Sequence, residues 1–214
     1  MSSLAVLITL GSRPENVPSM VAGLRAQTTQ DFTAVWLCET EDMAQTVRDV
    51  CAMFEVVEPR QHALHIYVRE TPRDADGRYA VVPYSYKVNL GLDEMDCPFV
   101  TYMTDDSHPR PEKYEAMIRA LRGGAKVVYV GQVRNGTAYD ANGPVPDAFC
   151  KLDHTQVAHV ATDARWPEGI DKMTLGDAYF WRELHARYGA FEPVPGGILD
   201  WTQQDARGIT ATWR

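Results

Sequence analysis

The sequence lacks the long apolar runs, the basic bias and the paired cysteines that mark several large classes of protein. No stretch of its 214 residues approaches the roughly 18 apolar residues of a membrane span. Its formal net charge of −8 argues against broad binding to phosphate backbones, which requires clustered Lys and Arg. The four cysteines have no CxxC spacing. We therefore expect free thiols in a reducing compartment.

The N-terminus also lacks the features of a signal peptide. No basic residue precedes the first apolar run, Leu4 to Leu10, and Ser12-Arg13-Pro14 ends it after seven residues. We interpret the run as a buried strand and expect a cytoplasmic protein.

Several catalytic signatures are missing as well. The sequence has no GxGxxG, no Walker A lysine and no GxSxG, so the dinucleotide-binding and hydrolase interpretations lose their usual motifs. The six histidines form no HxxH, HExxH or HxH zinc pattern.

What the chain does contain is an alternation of apolar strands and amphipathic helices. Continuous apolar runs predict strands at 4–10, 32–38, 64–68, 98–103 and 126–133. Apolar stripes at helical spacing predict helices from near Pro14, over 42–54, over 83–95 and after Pro111. Such alternation implies parallel βαβ units and an α/β fold with helices on both faces of a mostly parallel sheet.

The pattern changes in the second half of the chain. Residues 135–146 are rich in turn signals, 147–153 predict a short strand, 174–188 a helix and 190–199 short strands. We interpret the whole of 1–214 as one domain. Residues 1–106 would form its nucleotide-binding half and 107–214 a more irregular acceptor-side half.

Two adjacent carboxylates follow the predicted strand at 98–103. Ligands bind at the carboxyl ends of strands in open α/β sheets, and Mg²⁺ takes carboxylate and substrate phosphate oxygens. Because neighbouring strand residues face opposite ways, Asp105 and Asp106 are expected to point apart, with Asp106 towards the site. The alternative is an acidic loop that caps the helix at Pro111.

Glu39 and Lys87 are further candidates for nucleotide binding. Glu39 ends the second strand, where a carboxylate can accept hydrogen bonds from a base or a ribose. Lys87 is either a phosphate partner or an ordinary surface lysine. Asn89 lies in the same predicted helix as Lys87 and interrupts its apolar pattern.

Asp177 and His154 are the candidates in the second half. Asp177 shares the inward helix face with Phe180 and Trp181, where an unpaired carboxylate is costly. It is either a catalytic group or a partner of Thr174 in a capping box. His154 or His108 could complete a metal shell, and the alternative for each is a structural or surface histidine.

The order of these features resembles the family 2 glycosyltransferases with the GT-A fold. The resemblance runs over about residues 3–200 and rests on five short motifs. They are Thr9-Leu10-Gly11-Ser12-Arg13-Pro14, Leu24-Arg25-Ala26-Gln27-Thr28, Asn89-Leu90-Gly91, Thr104-Asp105-Asp106 in the Asp-x-Asp frame, and Gly176-Asp177. The chain departs from the family where Thr104 replaces the first acid, Val88 the arginine before Asn89, and Gly176 the glutamate before Asp177.

This resemblance implies transfer of a sugar from a nucleotide-sugar donor, a UDP-sugar by preference, to a hydroxyl acceptor with inversion at the sugar carbon. It implies Mn²⁺ or Mg²⁺ at Asp106 and Asp177 as the general base. We add His154 as a further metal ligand from the residues alone. The remaining donor contacts are assigned to the following residues: Gly11, Ser12, Arg13, Glu39, Lys87, Asn89 and Asp105.

Two other functions remain open from the residues alone. A nucleotidyltransferase also uses an α/β sheet and a metal, but it normally has a glycine cluster after the first strand. A non-catalytic nucleotide-sugar binding module is favoured by Thr104 and Gly176. The acceptor stays undefined, and a nucleic acid is expected only as a modified base because of the acidic charge.

Overall fold

The computed structural model describes residues 2–11, 13–57, 65–139, 152–169, 171 and 175–202. The strands are β1 (Leu4–Leu10), β2 (Phe32–Cys38), β3 (His65–Val68), β4 (Phe99–Thr104), β5 (Ser107–Pro109), β6 (Val127–Arg134), β7 (Thr137–Tyr139), β8 (Val157–Val160) and β9 (Glu192–Thr202). The α-helices are α1 (Val17–Arg25), α2 (Glu41–Val57), α3 (Pro83–Glu94), α4 (Lys113–Arg122) and α5 (Gly176–Tyr188). Two 3-10 turns precede α1 and β8, at Pro14–Asn16 and His154–Gln156.

All nine strands of the described part belong to one sheet, in the order β3-β2-β1-β4-β8-β6-β9-β5, with β7 paired to β6. The first four strands are parallel to one another. They form the parallel βαβ half that the sequence predicts. β8 then runs antiparallel to both β4 and β6, and β9 runs parallel to β6. The sheet is therefore mixed, and its antiparallel part comes from the second half of the chain.

β1 is buried on both faces, as its continuous apolar sequence predicts. Leu4, Val6 and Ile8 pack on the side of α1, α2 and α4, whereas Ala5 and Leu7 pack on the side of α3 and α5. Each face of the sheet thus has its own apolar core. Both cores depend on β1, so its carboxyl end is held rigidly in the middle of the molecule.

The helices cover both faces of the sheet, which confirms the predicted α/β architecture. The buried stripe of α1 consists of the four predicted residues, Val17, Met20, Val21 and Leu24. None of the helices in the described part of the chain is long and apolar enough to cross a membrane. Cys38, Cys51 and Cys97 are free thiols, as expected. Cys150 lies outside the described residues.

The second half of the chain departs most from the sequence prediction. Residues 192–202 form one long strand, where short strands near 190–199 were expected. β5, β7 and β8 were not predicted. The predicted strand at 147–153 falls largely outside the described residues, as does the start of the predicted helix at 174–188.

Glycines shape the turn and the bulge around β6. The Asn135-Gly136 turn joins β6 to β7 with positive φ angles of 49° and 80°, and it lies where the sequence predicts a turn. Gly131 lies at a shift in the register between β6 and β9. A Cβ there would be 2.9 Å from the carbonyl oxygen of Gly197, so only glycine allows the two strands to approach this closely.

An aromatic cluster fills the core between the sheet and α5. Trp166 stacks on Phe180 at 4.8 Å between ring centroids, and Trp181 and Tyr102 lie at 5.4 and 5.3 Å from Trp166. The cluster is closed by His159. All five side chains are buried.

Burial in this cluster keeps His159 neutral. Its Nδ1–H donates to the carbonyl of Val160 at 2.7 Å, so its Nε2 accepts from the hydroxyl of Tyr102 at 2.6 Å. Burial lowers the pKa of His159 from 6.5 to about 4, although the hydrogen bond to Val160 opposes that shift.

We predict that His159 makes the protein less stable in mild acid. The unfolded chain binds a proton at this residue below pH 6.5, and the folded chain binds it only near pH 4. Stability is therefore lost as the pH falls, by about 2 kcal/mol between pH 7 and pH 5. Urea unfolding at the two pH values should show this loss in the wild type and in the exposed-residue control His65→Gln, but not in His159→Gln. An equal pH dependence in all three proteins would contradict the assignment.

Candidate functional site

The carboxyl ends of β1 and β4 meet around the carboxylate of Asp105. Its Oδ2 accepts hydrogen bonds from the backbone N–H groups of Gly11 at 3.4 Å and Arg13 at 3.1 Å. Its Oδ1 accepts one from the guanidinium of Arg13 at 3.0 Å. Asn16 donates to the backbone carbonyl of Asp105 at 2.6 Å. Asp105 thus fixes the turn after β1, and Ser12 of that turn lies outside the described residues.

Asp106 faces the same guanidinium, which corrects one expectation from the sequence. Its Oδ2 is 3.4 Å from Arg13 Nη1, and its Oδ1 accepts a hydrogen bond from Thr104 Oγ1 at 2.6 Å. The expectation that Asp105 and Asp106 point apart is wrong because β4 ends at Thr104 and the two acids lie in a turn. Burial raises the pKa of Asp106, and the charge of Asp105 adds to that effect.

Glu39, at the end of β2, forms a second polar group with Thr71 and Lys87. Its carboxylate accepts hydrogen bonds from the backbone N–H of Thr71 at 2.9 Å and from the Thr71 hydroxyl at 2.7 Å. The ammonium of Lys87 donates to it at 2.6 Å. Burial acts to raise the pKa of Glu39, but the bonds from Lys87 and Thr71 outweigh it and the pKa is lowered.

Lys87 is therefore not the surface lysine that one interpretation of the sequence expected. Its side chain is 5% exposed. The positive charge of Lys87 is balanced by the carboxylate of Glu39. A contact between Lys87 and a phosphate stays a prediction, and it would require this buried ion pair to open.

Asn89 holds a segment of the second half of the chain against α3. Its amide donates to the carbonyl of Trp166 at 2.9 Å and to the carboxylate of Glu168 at 2.8 Å. Its side-chain oxygen accepts from the N–H of Trp166 at 2.8 Å. These three bonds use most of what the amide offers. Its assignment to the donor stays a prediction.

His154 interacts electrostatically with both Asp106 and Asp177. A positive charge on its ring would lower the pKa of Asp106 and of Asp177, so the ring is near both carboxylates. Its Nδ1 is 3.7 Å from Asp153. Its Nε2 is buried and has no hydrogen-bond partner among the described residues. One nitrogen of His154 is therefore available to a ligand.

Asp177 lies in the first turn of α5, as predicted, and is partly buried. Burial raises its pKa, and the nearby carboxylate of Asp153 adds to that, against the effect of His154. Its Oδ1 accepts a hydrogen bond from the N–H of Ala178 at 2.8 Å. Thr174, its partner in the capping-box alternative, lies outside the described residues.

A buried polar network behind the site was missed by sequence reasoning. The ammonium of Lys113 donates to Asp200 and to the carbonyl of Thr155, both at 2.7 Å. The hydroxyl of Thr155 bonds to Asp200 at 2.8 Å and to Asp153 at 2.9 Å. The sequence contains one weak indication of this network, since Lys113 lies four residues before Met117, on the apolar face of α4.

The structure thus brings the candidate residues together in three groups. Gly11, Arg13, Asp105 and Asp106 form the first, Glu39 and Lys87 the second, and His154 and Asp177 the third. Tyr84 and Ser85, in the first turn of α3, are polar residues near the third group that the sequence did not single out. In the sequence they lie among apolar residues of the predicted helix, and no pattern there marks them as functional.

We predict opposite effects on stability for the two neighbouring acids. Asp105→Asn should lower the free energy of unfolding by about 2 kcal/mol at pH 7, because Arg13 then loses its closer charged partner. Asp106→Asn should cost nothing or stabilise, because burial already disfavours the ionised form of Asp106. Urea unfolding of the two variants measures both effects, and equal losses would contradict the unequal roles.

No family model matches the chain. A curated relative, the protein CgeD of Bacillus subtilis (strain 168), is 22% identical over 233 residues, which cover 99% of this chain and 52% of CgeD. The chain therefore spans about half the length of that relative.

Among solved structures, S. aureus TarS superposes with a TM-score of 0.71 at 13% identity, over 99% of this chain and 38% of TarS. TarS 1–349 in complex with UDP-GlcNAc gives 0.70 at 11% identity, over 96% of this chain and 59% of the other. The mannosyltransferase PcManGT from Pyrobaculum calidifontis, in complex with GDP-Man and Mn²⁺, gives 0.64 at 11% identity, over 98% and 59%. The chain shares the fold of these GT-A glycosyltransferases, as its motif order implies.

Proposed function

We propose that the protein transfers a sugar from a nucleotide-sugar donor, a UDP-sugar by preference, to a hydroxyl acceptor with inversion. The observation that carries this proposal is the placement of two acidic groups on the carboxyl side of the sheet. Asp105 and Asp106 lie at the end of β4, and Asp177 lies at the start of α5, with His154 near both Asp106 and Asp177. The ligands named in the complexes of the similar structures, UDP-GlcNAc and GDP-Man, support the donor class.

The charges of the first group favour a divalent cation in the donor complex. Two carboxylates, Asp105 and Asp106, face the single guanidinium of Arg13. A diphosphate that approaches this group alone meets a net negative charge, whereas a divalent cation reverses the sign.

The residues present also fit such an ion. Within the described ranges, no group of three or more His, Cys, Asp and Glu side chains could hold a metal by itself. Mg²⁺ commonly takes one or two protein ligands and completes its shell with substrate phosphates and water. Asp106 and the unpartnered Nε2 of His154 are the two ligands we assign to Mn²⁺ or Mg²⁺. When bound there, the ion would neutralise charge on the leaving diphosphate.

We assign the donor itself to the ends of β1 and β2. The backbone turn at Gly11 and Arg13, which Asp105 fixes, would bind the nucleoside. Glu39 would bind the nucleoside end, since a carboxylate repels phosphate. Its pairing with Lys87 keeps it ionised for that purpose.

Asp177 is assigned as the general base that takes the proton of the acceptor hydroxyl. Its raised pKa makes it a stronger base than an exposed aspartate. Phe180 and Trp181, one turn further along α5, are fully buried and fix the helix that carries it.

We predict that binding of UDP depends on a divalent cation and on Asp106. Calorimetry with Mn²⁺ should show at least about 10-fold weaker binding to Asp106→Asn, a difference of about 1.4 kcal/mol. The exposed-site variant Asp96→Asn should bind as the wild type does. Equal affinity of the wild type with and without Mn²⁺ would contradict the metal assignment.

We predict that Asp177→Asn folds, binds UDP and loses turnover. Release of UDP from a panel of UDP-sugars should fall by about 10²–10⁴, the usual contribution of a general base. Glu183→Gln, on the outer face of the same helix, is the matched control. If Asp177 is only a helix cap, the variant should keep its turnover and lose about 1 kcal/mol of stability. That outcome, or a wild type that hydrolyses no nucleotide sugar, would favour the binding-module alternative.

A further inference from the structure

Two buried hydroxyl groups that find no hydrogen-bond partner among the described residues lie beside the proposed base. They are the side-chain oxygens of Tyr84 and Ser85, consecutive residues in the first turn of α3. Leaving a buried hydroxyl without a partner costs about 1–3 kcal/mol. A folded protein rarely keeps two such groups in adjacent residues unless a ligand completes their hydrogen bonds.

Both groups face the start of α5. The Ser85 side chain is fully buried, and a Cβ placed on Gly176 would meet its Oγ at 3.4 Å. Gly176 is the residue directly before Asp177. The ring of Tyr84 packs against His154 at 4.6 Å between centroids, and the charge of Asp177 acts on its hydroxyl. The two hydroxyls thus flank the N-terminal turn that carries Asp177.

The position of these hydroxyls is fixed by the surrounding backbone. The N–H of Val82 donates to the carbonyl of Glu168 at 2.9 Å, and Val81 forms an isolated bridge with Gly169. Asn89, two turns further along α3, bonds to both Trp166 and Glu168. The start of α3 is therefore anchored to the segment 166–169.

The chemistry of the ligand follows from the charges and the groups present. Around the acids and His154, the described residues place four carboxylates, Asp105, Asp106, Asp153 and Asp177, against the guanidinium groups of Arg13 and Arg134. An anionic acceptor would be repelled there. A hydroxyl group both donates and accepts, so it can satisfy Tyr84 and Ser85 without bringing charge.

We propose that Tyr84 and Ser85 bind two hydroxyl groups of a neutral polyol, the reacting end of the acceptor, next to Asp177. That the polyol is the acceptor rests on the proposed function. Binding of a polyol at Tyr84 and Ser85 does not itself require sugar transfer. Gly176 leaves the space that the bound hydroxyl occupies at Ser85. This space, bounded by Tyr84, Ser85 and Gly176, is the pocket of the proposal.

Binding of glucose, without any donor, tests the site by saturation-transfer NMR on the whole chain. Ser85→Ala and Tyr84→Phe should each weaken glucose binding by about 10-fold, the effect of one lost hydrogen bond. Gly176→Ala should do the same by filling the space. Ser19→Ala and Tyr188→Phe, which remove a hydroxyl outside the pocket, should bind as the wild type does. Glucose 6-phosphate should bind more weakly than glucose.

Stability separates a ligand site from a structural role. Because the two hydroxyls have no partners, Ser85→Ala and Tyr84→Phe should unfold at the same urea concentration as the wild type or at a higher one. A loss of stability in Ser85→Ala, or unchanged glucose binding in all three pocket variants, would overturn the proposal, and so would a wild type that binds no glucose. Should Tyr84→Phe fail to fold, Gly176→Ala still decides the question.

The outcome is independent of the proposed function. Glucose binding that depends on Tyr84 and Ser85, in a protein that hydrolyses no nucleotide sugar, would support the polyol site and contradict the proposed transferase function. Hydrolysis of a UDP-sugar, with unchanged glucose binding in the variants, would support the transferase function and contradict the polyol site.

Discussion

The rest of the second half of the structure depends on the buried ion pair between Lys113 and Asp200. The side chains are 1% and 0% exposed and 2.7 Å apart, and they join the start of α4 to the end of β9. Removing one partner of such a pair typically leaves an uncompensated buried charge and is strongly destabilising. The pair extends through Thr155 to Asp153, which caps the 3-10 turn that carries His154. The position of that histidine is therefore tied to the buried core through Thr155 and Asp153.

The parallel half of the fold could be predicted because its signals are local. Strands buried on both faces read as unbroken apolar runs, and α1 buries the four residues of its stripe. β8 could not be found this way. Its four residues, Val157–Val160, are defined by pairing with β4 and β6, far away in sequence, and one of them is a histidine. β9 was divided into short strands because Pro193, Pro195 and two glycines interrupt its pattern.

The parts of the candidate site that lie at the ends of adjacent strands could be predicted from the sequence. The parts that depend on contacts between side chains distant in the sequence were harder to predict. The meeting of Gly11, Arg13 and Asp105 follows from the adjacency of β1 and β4. That Asp106 turns towards the same guanidinium required knowing where β4 ends. The pairing of Lys87 with a carboxylate 48 residues earlier likewise has no local signature. Nor do the unpartnered hydroxyls at the start of α3, since a missing bond is visible only once every neighbour is placed.

The aromatic cluster has a spectroscopic consequence. The indole rings of Trp166 and Trp181 are 5.4 Å apart and inclined at 74°, and both are immobilised in the core. Rings held at such an angle couple their electronic transitions and give strong circular dichroism in the near ultraviolet. Tyr84 packs edge-on against Trp166 at 5.1 Å between centroids. A ligand bound beside Tyr84 therefore changes the near-ultraviolet circular dichroism of the protein's own side chains. Its binding can be followed without a label.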